Sequence, residues 1–245
     1  MEDPRSFSAY GHFSMDNYTR IPLTIKNLDK YVHRKAILSA LQESLSFFSG
    51  RLLDYGCGRM PYKDYILEHS GVTEYIGLDI ETALNYNNVK PDVVWDGTVI
   101  PFSDGFFNVV FATEVFEHVH GLEPALHEIY RVLKQDGILF FTMPYVWPLH
   151  EVPNDEYRYT PFVLEKIFKK AVFRDIIIKP TGGWNATLAQ MLGLWVRRNP
   201  MSKRKKMFLS YMLRPVIKAL LNRDTKPSEY SENTMIPGLY GIVRK

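Results

Sequence analysis

Between Leu52 and Tyr62 the chain reads LLDYGCGRMPY, an apolar run that meets an acid and then two glycines one residue apart. Glycines at 56 and 58 let a backbone loop approach a ligand that would collide with a Cβ. The third glycine of a G-x-G-x-x-G loop is absent, and Pro61 stands in its place. A second apolar run ends at Asp79, 25 positions after Asp54, where a carboxylate can accept hydrogen bonds from two adjacent ribose hydroxyls. A third run ends at Asp96 and a fourth at Thr113. Alone, the glycine pair is also what a tight turn needs, and the acids are also helix caps. Their recurrence at successive strand ends favours a nucleoside-binding crevice.

A second group of reactive side chains lies in WPLHEVPNDEYRYT, residues 147–160. His150, Glu151, Asp155, Glu156 and Arg158 crowd this loop beside Trp147, Tyr157 and Tyr159. Aromatic faces that stack on sugar rings, with carboxylates and Arg bonding hydroxyls, suit a carbohydrate. An imidazole with a pKa of about 6.5 suits a base at neutral pH. The plainer alternative is that Arg158 pairs with Asp155 only to brace the loop. Glu117 and His118, in TEVFEHVHG, read as structural residues at the start of a loop. No histidine is spaced from Cys or acids in a ligand pattern, so no metal site is expected.

The elements that must position these residues alternate. Helical apolar spacing runs from Leu28 to Phe48, with Gly50 as its stop. Strands are expected at 51–55, 73–80, 92–97, 106–113, 137–145, 173–179 and 238–245. Helices are expected from about Tyr62 to His69, from Pro124 to Lys134 with Gly137 as a stop, and from Pro161 to Lys170 with Thr160 as N-cap. Strands alternating with helices predict an α/β fold with a doubly wound, parallel sheet, whose ligands sit beyond the carboxyl ends of the strands. Residues 1–26 lack periodicity and read as an arm or lid.

Composition narrows the rest. A single cysteine, Cys57, rules out an intrachain disulfide framework and fits a reducing compartment. The first twenty residues have no apolar signal core, and no uncharged run is long enough to span a membrane. The net charge of +3 hides an asymmetry: from Ile176 to Arg223 there are ten Lys or Arg and no Asp or Glu. Residues 181–235 therefore read as a basic, amphipathic helical insertion, apart from a domain at 27–180 and 236–245. Three readings compete for it: an anionic membrane surface met through 181–223, a cap over the site, and nucleic-acid binding, the least favoured.

The stretches LLDYGCG, YIGLDI, WDGTVIPFSDGFFNVVFATEVFEHV and ALHEIYRVLKQDGILFFTMP together resemble the class I S-adenosylmethionine-dependent methyltransferases, in particular the methyltransferase type 11 group. The resemblance is close from Arg51 to Tyr145. It implies a Rossmann-like, seven-stranded, mostly parallel sheet with an antiparallel last strand and the helical insertion between strands six and seven. It also implies that Asp54, Gly56, Cys57 and Gly58 line the methionine part of the cofactor, S-adenosyl-L-methionine. Asp79 would hold the ribose and Ile80 pack on the adenine, with Asp96 and Gly97 by the adenine amino group and Thr113 closing the floor. This cofactor has no phosphate to rest on a helix N-terminus, so Pro61 can start the helix.

A family pattern H-E-x-P…D…R-Y/F-T is matched by His150, Glu151, Pro153, Asp155, Arg158, Tyr159 and Thr160. His150 and Glu151 are the expected catalytic residues, with Trp147, Asp155, Arg158 and Tyr159 against the acceptor. The GCG-x-x-PY form resembles enzymes encoded with glycan-assembly genes. The expected reaction is O-methylation of a sugar hydroxyl in surface-glycan or lipid-linked saccharide assembly, in the cytoplasm or on the inner face of its membrane. The alternatives are a quinone or other small-molecule methyltransferase, and a non-catalytic binding module with the same pocket.

Overall fold

The computed structural model describes residues 16–81 and 90–245, so residues 1–15 of the expected arm lie outside the described residues. Among the described residues one sheet holds seven strands: β1 (Ser49–Tyr55), β2 (Gly71–Ile80), β3 (Val93–Trp95), β4 (Phe107–Thr113), β5 (Leu133–Pro144), β6 (Arg174–Pro180) and β7 (Gly238–Arg244). Their order is β3-β2-β1-β4-β5-β7-β6. The pairs from β3 to β5 are parallel, and β7 runs antiparallel to both β5 and β6. This is the expected Rossmann-like sheet with its antiparallel last strand. Winding reverses between β1 and β4, which makes the crevice above their carboxyl ends the switch point.

The central strands are apolar throughout because both faces are covered. Leu53, Val110, Leu139 and Phe141 enter one core with α4 (Leu122–Val132) and α5 (Pro161–Lys170). Their neighbours Leu52, Val109, Ile138 and Phe140 enter another with α2 (Leu28–Ser44), which follows the short α1 (Asp16–Thr19), and with α3 (Lys63–His69). Each fully buried Leu or Phe contributes about 1.5–3 kcal/mol. A one-residue slip would exchange the two sets, so the register is strongly specified.

Three boundary signals act differently from expectation. Gly50 does not cap α2; it sits at φ +66° in β1, where the pairing with β2 shifts register as at a bulge. Gly137 lies inside β5, and the chain turns into that strand four residues earlier. Pro61 is not the first helical residue: α3 begins at Lys63, and Pro61 belongs to the turn that leads into it.

Residues between β6 and β7 form α6 (Trp184–Arg198) and α7 (Lys203–Asn222). Ala186, Ala189, Val196 and Ile217, with Leu192 and Leu220 beside them, pack on Leu28 and Val32 of α2. Leu188, Met191 and Trp195 of α6 and Met207, Phe208, Tyr211, Met212 and Val216 of α7 stay exposed. The apolar positions of the insertion thus divide into an inward and an outward set. Among the described residues no helix is long and apolar enough to cross a membrane.

Candidate active site

The loop after β1 is pinned to β2. The amides of Gly56 and Cys57 both donate to the Leu78 carbonyl, at 2.9 and 3.1 Å. The Gly58 amide donates to Asp79 Oδ2 at 2.8 Å, and the Ile80 amide to Asp79 Oδ1 at 2.8 Å. The acid at the end of β2 and the glycine loop therefore form one unit. Gly56 stands at φ +71°, and a Cβ there would lie 2.6 Å from Val115 Cγ2. Gly58 stands at φ +50°, and a Cβ there would meet no atom within 4 Å.

Gly58 opens onto a cavity of about 360 Å³ lined by Tyr55, Asp79, Ile80, Trp95 and Gly97. The cavity offers a bare backbone cradle, an acid at the end of β2, and apolar walls from exposed Ile80 and part-buried Trp95. These fit the methionine, ribose and adenine parts of S-adenosylmethionine in turn.

Two acids do not take their expected places. Strand alternation points Asp54 to the side of Leu52, where it is buried and accepts a short hydrogen bond from the Tyr75 hydroxyl. Burial pushes its carboxyl up to about 7, against the pull of Tyr75. The Asp96 carboxylate turns back to the Thr98 amide and hydroxyl, at 2.9 and 2.6 Å, which hold its pKa low. Neither lines the cavity. Cys57 is buried, which pushes its thiol up and away from thiolate chemistry.

A second cavity of about 390 Å³ adjoins the first, sharing Gly56, Gly58, Glu114, His118 and Glu151 with it. Its other walls include His33, Arg34, Tyr62, Thr113, Trp147 and His150. His33 Nε2 stands 3.0 Å from Glu114 Oε2, and Thr142 Oγ1 donates to Glu114 Oε1 at 2.7 Å. Burial penalises the Glu114 charge, but His33, Thr142 and His150 outweigh it and hold the carboxyl below the usual range. Trp147 stacks on His33 with ring centres 4.3 Å apart, and Arg198 of α6 lies 4.7 Å from its ring centre.

Of the loop after β5, Trp147, His150 and Glu151 reach this cavity, and Asp155, Arg158 and Tyr159 stay behind it. Arg158 donates to both oxygens of the buried Asp155 carboxylate, at 2.6 and 2.8 Å. That pairing, against some burial cost, holds Asp155 at about 2. Asp155 also takes the His150 amide at 3.2 Å and faces its Nδ1 at 3.1 Å. Tyr159 stacks on Tyr157. These residues fix the loop, as the bracing alternative has it. Burial lowers the His150 pKa and Asp155 only partly offsets this, so His150 is the neutral imidazole at neutral pH.

Sequence reading passed over His33, which sits in a helix read for its apolar spacing, and Glu114, which sits just past a strand. Neither has a local signature: His33 is followed by Arg34 and Lys35, as on any solvated helix face, and Glu114 is one acid in an apolar run. It also set Glu117 and His118 aside as structural, yet His118 lines both cavities. Glu117 is fully buried behind it, and burial, with Glu114 nearby, drives its carboxyl well above the usual range. A larger cavity of about 520 Å³ lies between α2 and α7, away from the switch point.

The sheet order, the glycine loop and the acid it is pinned to define the class I methyltransferase architecture. Residues 53–141 match the type 11 family described as methyltransferase domain. That stretch, from β1 to β5, therefore resembles an S-adenosylmethionine-dependent methyltransferase domain. A malonyl-[acyl-carrier protein] O-methyltransferase of Legionella pneumophila is 28% identical over 120 residues, which is 44% of this chain and 42% of that protein. The chain thus spans less than half the length of this curated relative. Among solved structures, a SAM-dependent methyltransferase from Archaeoglobus fulgidus has a TM-score of 0.54 at 20% identity, covering 89% of this chain and 97% of that one. Phosphoethanolamine N-methyltransferase 2 of Haemonchus contortus, in complex with S-adenosyl-L-methionine, has 0.53 at 16%, covering 96% and 60%. At these identities the structural likeness establishes the fold.

Proposed function

We propose that this chain transfers a methyl group from S-adenosylmethionine to a hydroxyl of a saccharide acceptor, in lipid-linked or surface-glycan assembly. When bound, the cofactor supplies a methyl carbon on a sulfonium, which needs little further activation. The chain's own work is alignment and removal of a proton. The observation that carries the reading is the second cavity, which joins the cofactor cavity at Gly58, Glu114 and Glu151. Its walls mix aromatic faces (Trp147, Tyr62) with hydrogen-bonding groups (His33, Arg34, His150), as a polyhydroxylated ring requires. An apolar quinone would cover these polar groups without offering them a hydrogen bond. Glu151 stands at the junction, where a hydroxyl proton must leave. The outward apolar residues of α6 and α7, in a segment with no acids, support presentation of a lipid-linked acceptor at an anionic membrane.

The malonyl relative supports a second reading, a carboxylate acceptor on a thioester, for which Lys30, Arg34 and Arg59 around the cavity would be counter-charges. Calorimetry with S-adenosylmethionine, followed by labelled-methyl transfer to saccharide, quinol and malonyl-thioester acceptors, tests both readings. Stoichiometric cofactor binding with label in the saccharide is expected. Label in the thioester moves the assignment to the second reading, and absence of cofactor binding ends both.

A further inference from the structure

The 3₁₀ turn Phe116–His118 and the loop after β5 are docked through backbone: the amides of Glu156 and Tyr157 donate to the Glu117 carbonyl at 3.0 and 3.1 Å. This brings the adjacent Glu117 and His118 to His150, 33 and 32 residues further along the chain. Neither carboxylate oxygen of Glu117 has a hydrogen-bond partner among the described residues, although the side chain is fully buried. A buried carboxyl with no partner must keep its proton or meet a cation, because an ionised, unpaired one is strongly disfavoured there.

In their neutral form the two imidazoles offer it no N–H. His118 Nδ1 lies 3.0 Å from the Asn154 carbonyl, which only accepts, so Nδ1 carries the hydrogen and Nε2 presents a lone pair. His150 Nδ1 faces Asp155, whose carboxylate is held ionised by Arg158, and its Nε2 is likewise a lone pair. Both Nε2 atoms stand 3.8 Å from Glu117 Oε1. Three electron-pair donors therefore converge, all within 4.8 Å of one another. A carbonyl or carboxylate behind each ring is also how metal-bound imidazoles are oriented.

We propose that Glu117, His118 and His150 bind a divalent first-row cation whose open positions face the second cavity and take oxygen atoms of the acceptor. Ligand distances of about 2.0–2.2 Å require only inward closure of side chains already aimed at one point. Glu151 Oε2, 3.8 Å from His118 Nε2, stands at the rim and takes the acceptor's proton, since His150 now serves as a ligand. Two imidazoles with one carboxylate favour Mn²⁺ or Zn²⁺ over Mg²⁺. The site rests on these residues and is independent of the saccharide reading.

The test uses the full chain, stripped with chelator and titrated with Mn²⁺ by electron paramagnetic resonance, and with Zn²⁺ and Mg²⁺ by calorimetry. One Mn²⁺ or Zn²⁺ per chain is expected, with Mg²⁺ weaker. Glu117→Gln should weaken binding at least 100-fold, and Asp155→Asn 10–100-fold through loss of His150 orientation. His127→Ala, on the exposed face of α4, should leave it unchanged. Thermal melts and S-adenosylmethionine affinity are read on each variant, so loss of fold is separated from loss of the site. Cofactor binding without stoichiometric Mn²⁺ or Zn²⁺ at 1 mM, tighter Mg²⁺ binding, or equal loss in His127→Ala would overturn the cation site and leave the methyltransferase reading standing.

Discussion

Gly56 and Gly58 occupy one loop and both stand at positive φ, yet they answer to different constraints. A Cβ at Gly56 would strike Val115, whereas one at Gly58 would enter the cofactor cavity without touching the protein. Each substitution with Ala carries a left-handed backbone penalty of about 1–2 kcal/mol. Gly56→Ala adds overlap with Val115 and should lose clearly more stability, by urea unfolding. Gly58→Ala should fold with only the backbone penalty but lose at least tenfold in S-adenosylmethionine affinity by calorimetry. Equal cofactor affinity in Gly58→Ala and the parent would remove Gly58 from the cradle. The glycines and Asp79 were legible in the chain because backbone access and a strand-end acid are local needs. Glu114, Glu117 and His33 were not, since their roles arise from loops and a helix that meet only in the fold.

Strand geometry explains which acids were misread. Asp54 precedes the loop by two residues but still belongs to β1, so alternation sends its side chain toward Tyr75 and away from the crevice. Asp79 lies near the end of β2, where it meets the amides of the neighbouring loop. The alternating strands and helices were readable because their apolar runs are long and covered on both faces. The glycine stops and Pro61 were not, because bulges and lead-in turns share those residues with helix ends. The placement of Asp54 carries a pH dependence. Below its unfolded pKa of about 3.9 both states hold the proton. Between there and about 7 only the folded state does, so stability falls as pH rises through that window and the loss is complete above it. A shift of that size corresponds to a loss on the order of 4 kcal/mol. Asp54→Asn keeps an acceptor for Tyr75 and removes the proton. Urea unfolding at pH 5 and pH 8 should show a smaller decline in the variant, and equal slopes would contradict a buried, protonated Asp54.

On the scale of the whole molecule, the uneven charge and the divided insertion point the same way. The segment from Ile176 to Arg223 holds ten cations and no acid, so the remainder, with 20 basic and 27 acidic residues, is formally −7. A merely solvated cap would need no outward apolar stripe, yet Leu188, Met191 and Trp195 recur at helical spacing on α6, as do Phe208, Tyr211 and Met212 on α7. Inward residues of the same helices already satisfy the packing on α2. Exposed aromatics flanked by Lys203, Arg204, Lys205 and Lys206 suit an anionic lipid surface, where each cation contributes about 1 kcal/mol and is screened by salt. The acidic body opposes nucleic acid. The protein should float with phosphatidylglycerol vesicles at low salt, stay below with phosphatidylcholine alone, and detach at high salt. Trp195→Glu with Phe208→Glu should abolish flotation while S-adenosylmethionine affinity holds, because both side chains face solvent away from the crevice. Flotation that survives this pair would shift membrane contact to the cations alone, and failure of the parent protein to float would return the insertion to a role as a cap.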